Sequence, residues 1–389
     1  MLNQTQQQKR DTSKVTTQLK KLLIITNIIP HYNLRFYEQV ADALRDEYIV
    51  NIVADQSLGG DVFIKNTGCE SFEVLDLPLS KFYFFTLRKS LIATIKKINP
   101  DKVVVYANPR DISIWLVLIY LKLIRKWVAI YGMFHRVGGM NFLTRIAYRS
   151  FSILSNKLFT YSRRGAITLD TIGVSSEKIY VIGTAIDNQN EMDCVDSESL
   201  NKFISVNNLQ ERLVILQVVR LSSYKKPNFI IDAAKIMCSK NNRLLFVLIG
   251  GGELYNEIKE KVLDYGLQKN VLLLGACYDK KILSLWFTVA KISIVPTCIG
   301  LSAHHSLGFG VPVMTDDSIS NQASEFDILA PGLNSLIYKE GSLVDFIEKL
   351  EMFLDNVAIQ KFLSEGALNT IKYNANINRK VQSFIDGLA

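Results

Sequence analysis

Short apolar runs rich in branched side chains recur along this chain. Each ends in a polar or glycine-bearing turn, and each is followed by a segment with helical spacing. The first is Lys21 to Asn27, KLLIITN; RFYEQVADALRDEY follows it, with Phe36, Val40 and Leu44 on one helical face. IVNIVAD, DKVVVYAN, KWVAIYGM, KLFTYS and KIYVIGT continue the strand-like series through the first half. A short run without polar alternation reads as a parallel strand covered on both faces. The second half restarts the pattern: RLVILQVVR, RLLFVLIGGG, NVLLLGA, KISIVPT and VPVMT read as strands. Between them NFIIDAAKIM, ELYNEIKEKVLDY, KKILSLWFTVA and the short SAHHSLGFG read as helices. Alternation in both halves predicts an α/β protein of two doubly wound, Rossmann-like domains facing each other across a cleft.

The length of 389 residues suits two domains, and a polar, acidic link over 185–207 marks the boundary. The expected organisation is a polar tail over 1–20, an N-terminal domain over 21–190, a C-terminal domain over 191–370 and a final helix over 371–389 placed to pack back on the first domain. The tail lacks the apolar segment of a signal peptide. The five cysteines are scattered, odd in number and without a Cys-x-x-Cys pair, which points to a reducing, cytoplasmic setting and to neither a disulfide framework nor a zinc site.

A net charge of +8 calls for an anionic partner. No basic run is interleaved with aromatics, so nucleic acid gives way to a phosphorylated substrate or an anionic membrane surface. The segment SIWLVLIYLKLIRKWVAIYGMF bears on the second. Its uninterrupted apolar part, Ile114 to Leu121, is far short of the ~20 residues that span a bilayer. It reads either as a helix leading into a buried strand or as an interfacial helix whose Lys122, Arg125 and Lys126 face lipid headgroups at the inner face of a membrane.

Ligands of open α/β sheets bind beyond the carboxyl ends of the strands. All four histidines of the chain fall at such ends: His31, His135, and the adjacent His304 and His305. Arg220 ends a strand, and Lys225 stands at the mouth of the next helix. Two cations beside a helix N-terminus form either a diphosphate site or a solvated basic turn. Gly250, Gly251 and Gly252 end another strand and permit close backbone approach, yet the dinucleotide fingerprint is incomplete, which argues against a nicotinamide enzyme. Gly300, Leu301 and Ser302 open the helix that holds His305; their N–H groups suit an anion, and His305 suits either sugar hydroxyls or a partly buried packing role.

VVRLSSYKKP, FVLIGGGEL, NVLLLGA and SIVPTCIGLSAHHSLGFGVPVM, in this order, resemble the C-terminal domain of retaining glycosyltransferases of the family 4 type. KLLIITNIIPHYNLRFYEQVADAL and KIYVIGTAID resemble the matching N-terminal domain, and bacterial surface-polysaccharide enzymes show a similar GLSAHHSLGFGVPVM form. The resemblance implies the GT-B fold and a nucleotide-sugar co-substrate, UDP- or GDP-linked, with no other cofactor and no metal. It implies that Arg220 and Lys225 grip the donor diphosphate, that Gly250 to Gly252 lie near the donor, and that Cys277 and Tyr278 meet the nucleobase. The chain departs from the family's Glu-x7-Glu motif: His305 takes the second glutamate's place and the first has no counterpart. Glu325, in NQASEFDIL, is either a donor contact near the cleft or a structural cap. His135 matches a family histidine beside the reacting sugar.

On the other side of the cleft, Pro30, His31, Tyr32, Asn33 and Arg35 read as the loop after the first strand, either an acceptor contact or a polar turn. Arg136, Asn108 and Arg110 are weaker candidates at other strand ends. The chemistry expected from the resemblance is sugar transfer with retention to a lipid-linked or growing glycan, with fixed cations stabilising the departing diphosphate. A nucleotide-sugar 2-epimerase of the same layout, or a non-catalytic nucleotide-sugar binder, remain as alternatives.

Overall fold

The computed structural model describes residues 19–57, 71–188 and 192–389. Most of the expected tail, part of the acidic link and Cys69 lie outside the described residues.

The first sheet takes β1 (Lys20–Ile25), β2 (Tyr48–Ala54) and β3 (Glu73–Asp76), then β6 (Lys102–Tyr106), β7 (Trp127–Gly132), β8 (Lys157–Thr160) and β9 (Ile179–Val181). Its spatial order is β3-β2-β1-β6-β7-β8-β9, and every pair is parallel. The second takes β10 (Leu213–Val218), β11 (Leu244–Ile249), β12 (Val271–Gly275), β13 (Ala290–Ile294), β14 (Val313–Asp316) and β15 (Ser335–Tyr338). Its order, β12-β11-β10-β13-β14-β15, is again parallel throughout. Both sheets wind outward from their first strand in one direction and then the other. The reversal falls at β1/β6 in one and at β10/β13 in the other, where doubly wound sheets form ligand crevices.

Helices cover both faces of each sheet, so the central strands carry apolar side chains on both sides; all six residues of β11, LLFVLI, are buried. Polar side chains start the helices. Asp111, Ser162, Asp279 and Asn376 each accept a backbone N–H of the first turn. The last helix, Ile377–Leu388, follows the second sheet in sequence but packs on the first. Ile377, Val381, Phe384 and Leu388 enter a core with Leu22, Val40 and Phe159.

Two features depart from the sequence reading, and a third follows one of its alternatives, a helix leading into a buried strand. The expected loop after β1 is almost all helix: Pro30 precedes it, and His31 opens the helix His31–Leu44. A separate antiparallel hairpin, β4 (Leu79–Phe82) and β5 (Phe85–Arg88), precedes β6. The apolar segment at 114–121 lies within the helix Ile112–Leu123, where Ile114, Val117, Leu118 and Leu121 are buried while Leu116 and Ile119 stay exposed. Among the described residues no helix is long and apolar enough to cross a membrane.

Candidate active site

Among the described residues, two of the clefts at the carboxyl edges of the sheets hold candidate residues. The first, about 450 Å³, runs along the ends of β10, β11 and β12; Arg220, Gly250, Gly251, Gly252, Cys277 and Tyr278 line it. The glycines shape the wall itself. Gly252 has φ +155°, and a Cβ there would collide with the Leu221 carbonyl; one on Gly250 would strike Val219. Their close approach is therefore to the neighbouring backbone, while Gly251 faces open space apart from Ala276. Arg220 is exposed and lies 3.8 Å from Glu253, so its guanidinium is held only loosely.

The second cleft, about 310 Å³, lies between the domains. Tyr32, Tyr37, Tyr106, Tyr131 and Tyr161 wall it from the first domain, with Asn27 and Asn33 beside them. Leu301, Ser324 and Glu325 close it from the second domain, and Lys380 enters from the last helix. Burial raises the Tyr131 and Tyr161 phenols well above their ordinary range, so they remain hydrogen-bond donors at neutral pH. Burial also raises the Glu325 carboxyl, against the pull of Lys225 and Lys380. The Lys380 ammonium is pushed down to about 8 by burial, with Glu325 opposing the shift. It remains mostly charged at pH 7, 3.3 Å from Asn33 Oδ1 and 4.5 Å from the Phe36 ring centroid.

Lys225 lines neither cleft but stands between Arg220 and Glu325 in its contacts. It follows Arg220 closely in sequence, its Nζ donates to the Cys298 carbonyl, and its charge acts on Glu325. Arg220 and Lys225 thus address different surfaces: the glycine-walled cleft, and the loop that leads to Leu301.

His135 is buried just behind the tyrosine cavity, two residues beyond the lining Met133. Its Nδ1 lies 3.1 Å from the Met133 carbonyl; its buried Nε2 has no partner within 3.5 Å, and the Gln322 backbone also acts on the ring. Burial, then the charge of Arg164, lowers its pKa to about 4. The ring is neutral at pH 7. With Nδ1–H donating to Met133, Nε2 is the unprotonated nitrogen of the neutral ring.

The paired histidines have separate surroundings. His304 is fully buried, with Nε2 3.0 Å from Thr184 Oγ1, and its carbonyl accepts from Asn188 at 2.7 Å. Burial, then His305 and Lys380, lower its pKa to about 3. It therefore ties the helix Ser302–Gly308 to the interdomain link. His305 lies flat against Phe287, centroids 5.9 Å apart and planes 15° apart, and is not among the residues lining either cleft. Gly300 and Ser302 also fall outside both linings, while Leu301 enters the tyrosine cavity.

The candidates of the first domain divide likewise. Tyr32 and Asn33 line the cavity; His31 and Arg35 are exposed, His31 edge-on to Tyr32 and Arg35 paired with Glu38 at 3.2 Å. Asn108 accepts from the Arg110 N–H at 3.1 Å and shapes a turn; Tyr106 of the same strand end reaches the cavity instead. Sequence reading missed Lys380, four of the tyrosines and Arg164. Arg164 bridges the domains by donating to the Gln322 carbonyl at 2.6 Å and the Ser320 carbonyl at 3.0 Å.

Residues 200–370 match the family described as glycosyl transferases group 1. HepE from Anabaena, solved with UDP, is similar in fold at a TM-score of 0.73 and 14% identity, over 95% of this chain and 99% of that one. A glycosyltransferase from Rickettsia africae gives 0.75 at 15% identity, over 95% and 97%. WaaG, a glycosyltransferase of lipopolysaccharide biosynthesis, gives 0.65 at 15% identity, over 94% and 99%. No curated protein matches the chain in sequence. The fold is that of the GT-B glycosyltransferases, two parallel-sheet domains with their strand ends turned to a common cleft.

Proposed function

We propose that this chain is a family 4-type glycosyltransferase. It moves a sugar from a UDP- or GDP-linked donor to a lipid-linked or growing glycan, with retention, in bacterial surface-polysaccharide synthesis. The observation that carries the reading is the presence of two unlike clefts at the carboxyl ends of the two parallel sheets. One is walled by backbone and Arg220, which suits a nucleotide; the other is lined by phenols and amides, which suits sugar hydroxyls. The UDP and UDP-glucose complexes of HepE and the lipopolysaccharide role of WaaG support the donor and the acceptor class.

In this reading Cys277 and Tyr278 meet the base, and the Gly250–Gly252 turn and Arg220 border the diphosphate. Lys225 stabilises the charge that develops on the leaving group. His135 Nε2 accepts a hydroxyl of the transferred sugar, and the tyrosine cavity holds the acceptor. The departing phosphate takes the acceptor proton as the new glycosidic bond forms. The basic first domain holds the enzyme against the inner face of the cell membrane.

The test is a melting-temperature screen against UDP, GDP and their sugars, since a ligand that binds only the folded state raises the midpoint with saturation. Nucleoside diphosphate release is then measured with and without glycan acceptor. A shift with one base series and acceptor-dependent release are expected. Turnover of donor without acceptor would replace transfer by isomerisation, and binding without release would leave a nucleotide-sugar binder.

A further inference from the structure

The hairpin Leu79–Arg88 belongs to neither large sheet and supplies nothing to the buried apolar clusters. Its tip carries four aromatic residues in succession: Phe82, Tyr83, Phe84 and Phe85 are 69%, 89%, 79% and 48% exposed. Two-residue hairpin turns favour Asn-Gly because the central backbone enters the left-handed region. Here Tyr83 occupies that region at φ +50°, so the turn gives up favourable local geometry to present large rings to solvent.

The hairpin abuts the helix Ile112–Leu123, whose outward stripe is also apolar: Ile112, Leu116, Ile119 and Leu123 are 41%, 48%, 46% and 76% exposed. An apolar stripe on both faces of a helix is foreign to a solvent-facing position. Its exposed neighbours in the chain are basic: Lys81 and Lys89 lie on and beside the hairpin, and Lys122 and Arg125 lie at the C-terminal end of the helix, while the nearby Asp55 and Asp111 are buried.

We infer that the hairpin is a wedge that inserts Phe82, Tyr83, Phe84 and Phe85 into the interfacial region of an anionic bilayer, with the Ile112–Leu123 stripe lying on the same surface. This rests on the proposed membrane-side function and gives it a structural element. Exposed aromatics and aliphatics beside the exposed cations Lys81, Lys89, Lys122 and Arg125 complement a sheet of anionic headgroups over acyl chains. A protein partner would have to supply a matching apolar and wholly acidic face.

The test uses the full chain and flotation with vesicles of phosphatidylcholine alone or containing phosphatidylglycerol. The wild type floats with the anionic vesicles, and added salt weakens this. F82S/F84S weakens it at least about tenfold, as expected on losing two apolar anchors. The nucleotide-induced melting shift is unchanged, which separates this outcome from failure of the transferase reading. The single variant F84W, read against the wild type, shows a blue-shifted emission with anionic vesicles even should the double variant fold poorly. Wild-type flotation that F82S/F84S leaves intact, with no F84W shift, overturns the wedge and leaves peripheral binding. No flotation by the wild type overturns both, and a dimer that F82S/F84S dissociates assigns the patch to a second copy of the chain.

Discussion

Lys380 Nζ lies 3.3 Å from Asn33 Oδ1, although 347 residues separate them in the chain. The last helix thus delivers a cation into a cavity walled by the first domain and closed by Leu301, Ser324 and Glu325. Burial holds its pKa at about 8, below the ordinary 10.5 of a lysine. The charged form therefore costs stability below pH 8, and the cost disappears as pH rises from about 8 to 10.5. Lys380→Met should melt no lower than the wild type at pH 7 and lose the rise in stability across that alkaline window. Its turnover should fall about tenfold to a hundredfold, the loss of one charge-assisted hydrogen bond of ~1.5–3 kcal/mol. A lower melting point with full turnover would make Lys380 a structural residue.

Arg220 and Lys225 should behave alike in catalysis and differently in stability. Arg220 is exposed, and its contact with Glu253 contributes little. Arg220→Ala should leave the melting temperature unchanged and cut turnover by at least ~10². Lys225→Ala should cut turnover similarly and also lower the melting point, because the Cys298 carbonyl loses its donor. Wild-type rates in both variants would remove the diphosphate assignment.

His305 is assigned by comparing two substitutions. The stacked contact with Phe287 contributes ~0.5–1.5 kcal/mol beyond its area. His305→Ala should lower the melting temperature with nucleotide affinity intact, and His305→Phe should restore stability. Loss of affinity in both variants at constant stability would instead make the imidazole a donor ligand.

The two buried histidines predict acid lability. An unfolded histidine takes up a proton near pH 6.5, whereas His135 and His304 do so only at about 4 and about 3. Folding stability should fall as pH drops through 6.5, by up to ~1.4 kcal/mol per pH unit for each ring. Denaturant midpoints from pH 7 to 5 measure this, and His304→Gln should remove about half the slope.

The alternation of elements was legible because both sheets are parallel and covered on two faces, so strands such as LLFVLI read as unbroken apolar runs. The glycine-walled cleft was legible for a related reason: Arg220, Gly250 to Gly252 and Cys277 with Tyr278 follow three adjacent strands. The cavity was read only in part. Tyr106 closes β6, Tyr131 lies at the end of β7 and Tyr161 follows β8, all at carboxyl ends, but a strand-end tyrosine looks like core in a linear pattern. Lys380 left a fainter trace, a lysine on the apolar stripe of Ile377, Val381 and Phe384, whose distant partners no local spacing reveals. The orientation of His305 depends on Phe287, which lies on a different helix.

Among the described residues the chain crosses between the two domains twice, outward through residues 182–188 and back through 370–377, where a single π-helical turn spans Thr370–Asn374. A body attached to another at one point swivels in every direction. Attached at two, it keeps a single degree of freedom, rotation about the line through both attachments. Any opening of the cleft is thereby reduced to one angle, with the extra backbone of the π turn giving slack at one pivot. A ligand that bridges the domains has one coordinate to arrest, and the orientational entropy lost on closure is that of a hinge.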